Sequence, residues 1–472
     1  MPSKKTKSAP EFLKREPGWD KLAKGEEKIL HQYCDDYRKF LSVAKTERLA
    51  CEELLAMAKA AGFQNLDDII AKNKKLKPGA KVYRSYSGKT VILAHIGKKP
   101  MAEGLRLVGG HIDCPRLDAK PCPLYEADGL VLLDTHYYGG IKKFQWVTIP
   151  LALHGVVIKK DGTTVKIDIG EKPEDPVFVI TDLLPHLAQE QSSKKLSEAF
   201  SGEDLNVLLA SRPADEKDAK EATKHRLLSL LWDKYGITEA DFQSAELEVT
   251  PAGPARDLGL DNSMMLGYGH DDRVCAYASS RAILDQKTIP EHTALAVLCD
   301  KEEIGSYGCT GMDSTILENT VAELLEATAG YNGLTLRRLL EKSQMLSADV
   351  CALHDPGFPQ VSSPHNQAKI NCGLAISKYD GARGKSGSSD ANAEFVGTVR
   401  KIFDDAGVVW QMTELGKVDV GGGGTIALYM ARYGMAVLDC GVGLFNMHAP
   451  WEVAGKLDIY MAYKGYSAFL LS

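Results

Sequence analysis

The chain has 472 residues, 44% hydrophobic and 25% charged, a soluble globular balance that is too long for one ordinary core, so two or more domains are expected. A net charge of −6 excludes a general nucleic-acid or anionic-membrane binder, which would carry a basic excess. Ten scattered cysteines form no CxxC, no run approaches a membrane span, and the basic start MPSKKTKSAPEFLKREPGWDKL has no apolar h-region; reduced cysteines and a cytoplasmic location are expected.

From about 24 to 61, apolar positions recur at helical spacing (Ile29, Tyr33, Tyr37, Phe40, Leu41, then Leu49, Leu54, Leu55, Met57), which predicts a pair of helices. The runs 82–86 and 90–96, joined around Ser87-Gly88-Lys89, read as a β-hairpin. A strand from 105 then ends in Gly109-Gly110-His111-Ile112-Asp113, where His111 and Asp113 share one face of an extended segment. A lone histidine is more often a hydrogen-bonded structural residue, but an aspartate two positions on is what a metal-ligating imidazole could use to fix its tautomer.

Between about 117 and 266 short β-prone runs dominate, at 130–133, 146–153, 156–158 and 164–169, with turns at Gly139-Gly140 and Asp161-Gly162. A charge-laced stretch over 189–225, expected to be mobile, leads into a helix at 226–235. The block reads as a separate β-rich domain whose one chemical candidate is His186, weighed evenly against an ordinary loop histidine.

The α/β rhythm returns at Gly269-His270-Asp271-Asp272, ahead of a small-residue helix whose free N–H groups either aspartate would cap. An apolar strand at 294–298 then runs into Asp300-Lys301-Glu302-Glu303. A buried strand has no use for such charges, whereas the carboxyl end of a strand in an α/β sheet projects them into the crevice where ligands bind. If strand geometry persists, Glu302 and Glu303 point opposite ways, one towards a metal and one towards a substrate water. The run 346–350 sets Asp349 among apolar residues, costly unless it is paired or metal-bound. A strand at 436–443 precedes Asn446-Met447-His448, and an amphipathic helix over 458–471 closes the chain.

Two histidines and three carboxylates, His111, Asp271, Glu303, Asp349 and His448, suit a pair of divalent ions with one carboxylate bridging, and leave Glu302 free for proton transfer. Such ligands accept Zn, Co or Mn. HExxH, GxSxG and GxxxxGK[ST] are missing, so zincin, serine hydrolase and P-loop readings lack their motifs. Lys378 and Arg383 lie in a Gly/Ser-rich stretch that could offer a cation to an acidic substrate side chain, against the commoner solvated loop.

The segments GGHIDCP, GHDDRVCA, DKEEIGSYGCTG, SADV and NMHAPWEVAGKLD together resemble the M18 family of metallo-aminopeptidases, most strongly its bacterial branch, over nearly the whole chain. YYGG at 137–140 and DLLPHL around His186 share in the resemblance. It implies a zinc-peptidase-like α/β catalytic domain in two parts, 1–116 and 267–472, interrupted by a β-rich lid and dimerisation domain at 117–266. By the same resemblance His111 and Asp349 would bind one ion and Glu303 and His448 the other, with Asp271 between them. Asp113 would orient His111, and Glu302 would be the general base. The implied activity is removal of the N-terminal residue from peptides with a free N-terminus. The implied assembly is a homododecamer in which His186 reaches a neighbour's site.

Two departures from the eukaryotic pattern matter. HDDR stands where LDN is commoner, which leaves Asp272 as an alternative bridge, and GGGGTIA at 421–427 replaces a Cys-containing loop, which leaves acidic or neutral preference open. A deacylase using the same ions on blocked amino acids is the nearest rival, and a non-enzymatic assembly protein is the bland one.

Overall fold

The computed structural model describes residues 15–215 and 220–472, so the first fourteen residues of the basic start and positions 216–219 of the charge-laced stretch lie outside the described residues. Among the described residues the strands form sheets of nine, six and five. The nine-stranded sheet has Arg106–His111 at its middle, with Ala294–Cys299 on one side and Gln344–Ser347 on the other, both parallel to it. Thr90–His95 pairs antiparallel outside Ala294–Cys299, and Ala436–Gly441 pairs parallel outside Gln344–Ser347.

Alternation along these strands fills both faces. Val91, Leu93, Val108, Ala296, Leu298 and Leu346 point to one core, while Ile92, Ala94, Leu107, Leu295, Val297 and Met345 point to the other. Burial on both sides is what makes central parallel strands near-continuous apolar runs rather than alternating ones. Helices Glu26–Val43, Glu47–Ala60, His270–Leu284 and Lys456–Leu471 cover the first face, and Ile316–Thr328 and Gly333–Lys342 the second. Each fully buried Leu or Val contributes about 1.5–3 kcal/mol relative to exposure. The hairpin is Lys81–Tyr86 with Thr90–His95, closed in register at Tyr86 and Thr90.

The six-stranded sheet is drawn from Arg116–Ala127, Leu130–Tyr138, Leu151–Ile158, Thr164–Ile169, Val207–Ala210 and Ala245–Pro251, with helix Ala222–Tyr235 packed on its core. The smaller sheet pairs Met264–Gly267 with Glu452–Gly455 and carries Gly443–Phe445 beside it. No helix of the described residues is long and apolar enough to cross a membrane.

Four expectations change. The run 146–153 is no strand at its start: Trp146 packs fully buried in a turn, and pairing begins at Leu151, after Pro150, which has no N–H to donate. The charge-laced stretch holds a short strand, Val207–Ala210, paired with Leu130–Tyr138. The closing helix, Lys456–Leu471, is buried almost all round rather than on one face. Finally, Glu302 and Glu303 do not continue the strand, because Lys301 adopts φ 71° and turns them into a 3-10 helix, Glu302–Ile304.

Candidate active site

Three neighbouring parallel strands end side by side and bring their following residues into one crevice, the place where open α/β sheets bind ligands. His111 is the last residue of Arg106–His111, Glu302 and Glu303 follow Ala294–Cys299, and Asp349 follows Gln344–Ser347. Asp271 enters from the start of helix His270–Leu284, and His448, at φ 64°, from the turn after Gly443–Phe445. The second glycine of GGHID is required by space: a Cβ on Gly110 would lie 1.9 Å from Asp272 Oδ2 and 2.1 Å from the Ala348 carbonyl oxygen.

The aspartate pair divides its work. Neither side chain caps the helix, whose first turn is non-helical at Asp271 and Asp272 with a cis peptide between them. Asp272 is fully buried and accepts the His111 backbone N–H at 3.3 Å. Asp271 instead spans the two histidines, with Oδ1 3.2 Å from His111 Nε2 and Oδ2 3.2 Å from His448 Nε2. Glu303 Oε2 lies 3.6 Å from His448 Nε2, and Glu302 Oε2 and Asp349 Oδ1 each lie 4.0 Å from His111 Nε2.

Both imidazoles have their tautomer dictated by their neighbours. His111 Nδ1 faces two acceptors, the Asp113 carbonyl oxygen at 2.9 Å and Asp113 Oδ1 at 3.3 Å. His448 Nδ1 faces the Gly140 carbonyl oxygen at 2.8 Å. An acceptor at Nδ1 requires the proton there, which leaves each Nε2 lone pair free for a metal.

Asp113 is the organiser of this arrangement. Fully buried, it also accepts the N–H groups of Glu302 and Glu303, each at 3.2 Å, and the Tyr138 hydroxyl at 2.8 Å. Tyr138 and Glu452 are the functional neighbours that sequence reasoning missed. Glu452 Oε1 accepts the His448 N–H at 2.8 Å and its Oε2 accepts the Asp271 N–H at 3.1 Å, so one buried carboxyl braces two of the convergent side chains. Its signal was the one that marked Asp349, a carboxylate inside an apolar strand.

The electrostatics ask for cations. Burial and neighbouring carboxylates push Glu303 and Asp349 well above the usual range, and burial with Asp113 and Asp271 pushes Glu302 up to about 7 against the pull of His111 and His448. Burial would lower His448, yet its bond to Asp271 and the charge of Glu303 push it up to about 10. Glu303 Oε1 is buried without any hydrogen-bond partner. An orphaned carboxylate oxygen beside free imidazole nitrogens fits divalent ions, and two sets of donors, His111 with Glu302 and Asp349, and His111 with Asp271 and Glu303, each lie within 4.8 Å of one another.

These six side chains line a cavity of about 330 Å³. His186, exposed on the six-stranded-sheet region, and half-buried Lys378 do not line it.

Comparisons with known proteins agree with this site. The family model for aminopeptidase I zinc metalloproteases (M18) matches residues 40–470. A probable M18 family aminopeptidase 1 from Clostridium acetobutylicum is 51% identical over 96% of this chain and 97% of its own, and one from Thermotoga maritima is 42% identical over 97% and 99%. The crystal structure of an M18 family aminopeptidase from Thermotoga maritima superposes with a TM-score of 0.91 at 41% identity, covering 97% of this chain and 99% of that one. That of aminopeptidase I from Clostridium acetobutylicum gives 0.91 at 47%, covering 98% and 100%. A yeast structure described as a dodecamer shares the fold at 20% identity and a TM-score of 0.73, covering 94% and 96%. With the family model and these relatives spanning almost its whole length, the chain belongs to the M18 family of zinc metallo-aminopeptidases.

Proposed function

We propose that the chain is a two-metal aminopeptidase in which Asp271 bridges the ions, His111 and Asp349 complete one site, His448 and Glu303 complete the other, and Glu302 is the general base. The observation that carries this reading is the placing of the two Asp271 oxygens, one 3.2 Å from each histidine Nε2. Ions held there would acidify a water and polarise the first peptide carbonyl. Glu302, only 17% exposed at its side chain, takes the proton of the attacking water and returns it to the leaving amine. Its raised pKa supports that shuttle, since a base acts best when its pKa lies near the working pH. Asp113 holds His111 and both glutamate N–H groups, which keeps base and ligands in fixed relation. The free α-amino group of a peptide sits next to the carboxylates, a position that an internal peptide bond cannot use.

We further propose that residues 117–266 act as lid and dimerisation domain within a homododecamer. Exposed Leu183, Leu184, Leu187 and Trp232 give that region the apolar surface a subunit contact requires, and His186 lies among them, placed to reach a neighbour's site. The yeast dodecamer of the same fold supports the assembly.

The test is hydrolysis of free-amino and N-acetylated amino-acid anilides by chelated enzyme restored with Zn, Co or Mn. Metal-dependent cleavage of the free-amino substrates alone is expected; turnover only of the acetylated ones would replace this reading with a deacylase.

A further inference from the structure

The cavity beside the metal ligands has a second wall. Opposite His111, Asp271 and Glu303 it is formed by Val350, Leu415, Met447, the Gly422–424 backbone, Thr425 and Asp380. If the α-amino group and first carbonyl occupy the ligand side, as the proposed function requires, the side chain of the first residue must enter this other half. Its sides are apolar, and its one ionisable side chain is Asp380.

Asp380 is not an isolated surface carboxylate. Ser377 Oγ donates to its Oδ1 at 2.5 Å, and its backbone carbonyl accepts the Gly423 N–H at 3.0 Å, so the glycine loop and the carboxylate are tied together. Behind it stands Asp439, 5% exposed in strand Ala436–Gly441, whose Oδ1 accepts the Thr425 hydroxyl at 2.7 Å. The two carboxyls share a hydrogen bond, and no cation acts on either. Two adjacent buried carboxyls cannot both ionise, so the pair keeps one proton. Burial and the Asp380 charge raise Asp439 well above the usual range, and the Asp439 hydrogen bond opposes the rise at Asp380. The proton therefore belongs to Asp439, and the negative charge to Asp380 at the cavity wall.

We infer that Asp380 sets the specificity of the first-residue pocket, selecting peptides whose N-terminal side chain is cationic and rejecting those with an N-terminal Asp or Glu. A substrate carboxylate there would meet a like charge in a half-desolvated pocket with no cation to offset it, whereas a Lys or Arg head would supply the missing counter-charge. Lys378, the sequence's candidate cation for an acidic substrate, is turned out of the lining.

The experiment compares kcat/KM on free-amino Lys, Leu and Glu anilides for the metal-loaded wild type, Asp380→Asn and Asp439→Asn. The wild type should favour Lys over Glu by at least about tenfold, the factor that ~1.4 kcal/mol of discrimination gives. Asp380→Asn should cut that ratio at least fivefold, roughly, by removing the charge. Asp439→Asn, whose amide still donates to Asp380, should keep it. The wild-type ranking needs no variant to fold. Cleavage of Glu as fast as Lys, or a ratio that Asp380→Asn leaves unchanged, overturns this inference while the aminopeptidase reading stands. Failure to cleave any of the three free-amino substrates overturns the aminopeptidase reading itself.

Discussion

Glu452 carries as much of the proposed site as any ligand, because its two oxygens hold the backbones of His448 and Asp271 at once. In Glu452→Gln one of those oxygens becomes an NH₂ that faces an N–H donor, so the two ligands lose their common brace. Metal affinity should fall about 10–100-fold, the usual effect of losing an outer-sphere partner, and a chelator titration against the wild type measures it. An unchanged affinity would mean that the turn around His448 is held from elsewhere. His95 offers a residue-scale test of stability. Burial lowers its pKa, and Gln286 Oε1 lies 2.6 Å from Nδ1. The imidazole stays neutral in the folded state and takes a proton in the unfolded chain below about pH 6.5, so folding stability falls as pH drops through and below that value. Tm followed from about pH 7.5 to 5.5 should decline less steeply in His95→Gln than in the wild type; parallel declines would contradict the assignment.

At the scale of elements, the strands were legible wherever their apolar runs were bounded by chemistry. His111, Glu303 and Asp349 all stand just past strands that the sequence marks, and the sheet puts those strands next to one another. The turn at Lys301 was not legible, since a left-handed lysine leaves no compositional sign, and it is this turn that lets both glutamates address Asp113 and the cavity. Helix Lys456–Leu471 misled for a different reason: its polar residues are themselves buried, with Asp458 accepting the N–H groups of Asn371 and Gly373 at 2.8 and 2.6 Å. That helix is a core element, so Phe469→Ala, at a position with no exposed surface, should cost about 3–5 kcal/mol in denaturant unfolding. A cost under about 1 kcal/mol would place the residue outside the cooperative core.

For the whole molecule, the six-stranded sheet and the catalytic sheet are coupled through one short path. Tyr138, in strand Leu130–Tyr138, donates to Asp113, and the Arg116 guanidinium lies 3.9 Å from its ring centroid. The region proposed as a lid is therefore bonded to the residue that orients His111 and both glutamates. Contacts between distant strands such as this one, and the side-by-side ends of strands 200 residues apart in order, have no trace in local pattern, which explains why Tyr138 and Glu452 were overlooked. On the proposed assembly, gel filtration should give an oligomer, and a fully active monomer would remove both the dodecamer and a role for His186 across subunits. The account as a whole turns on Glu302 acting as base rather than ligand. Metal content and turnover measured together on the wild type and Glu302→Gln decide it. The account predicts two ions per chain in both and a loss of kcat of about 10²–10⁴-fold in the variant; an ion lost from the variant, or turnover that survives, would contradict it.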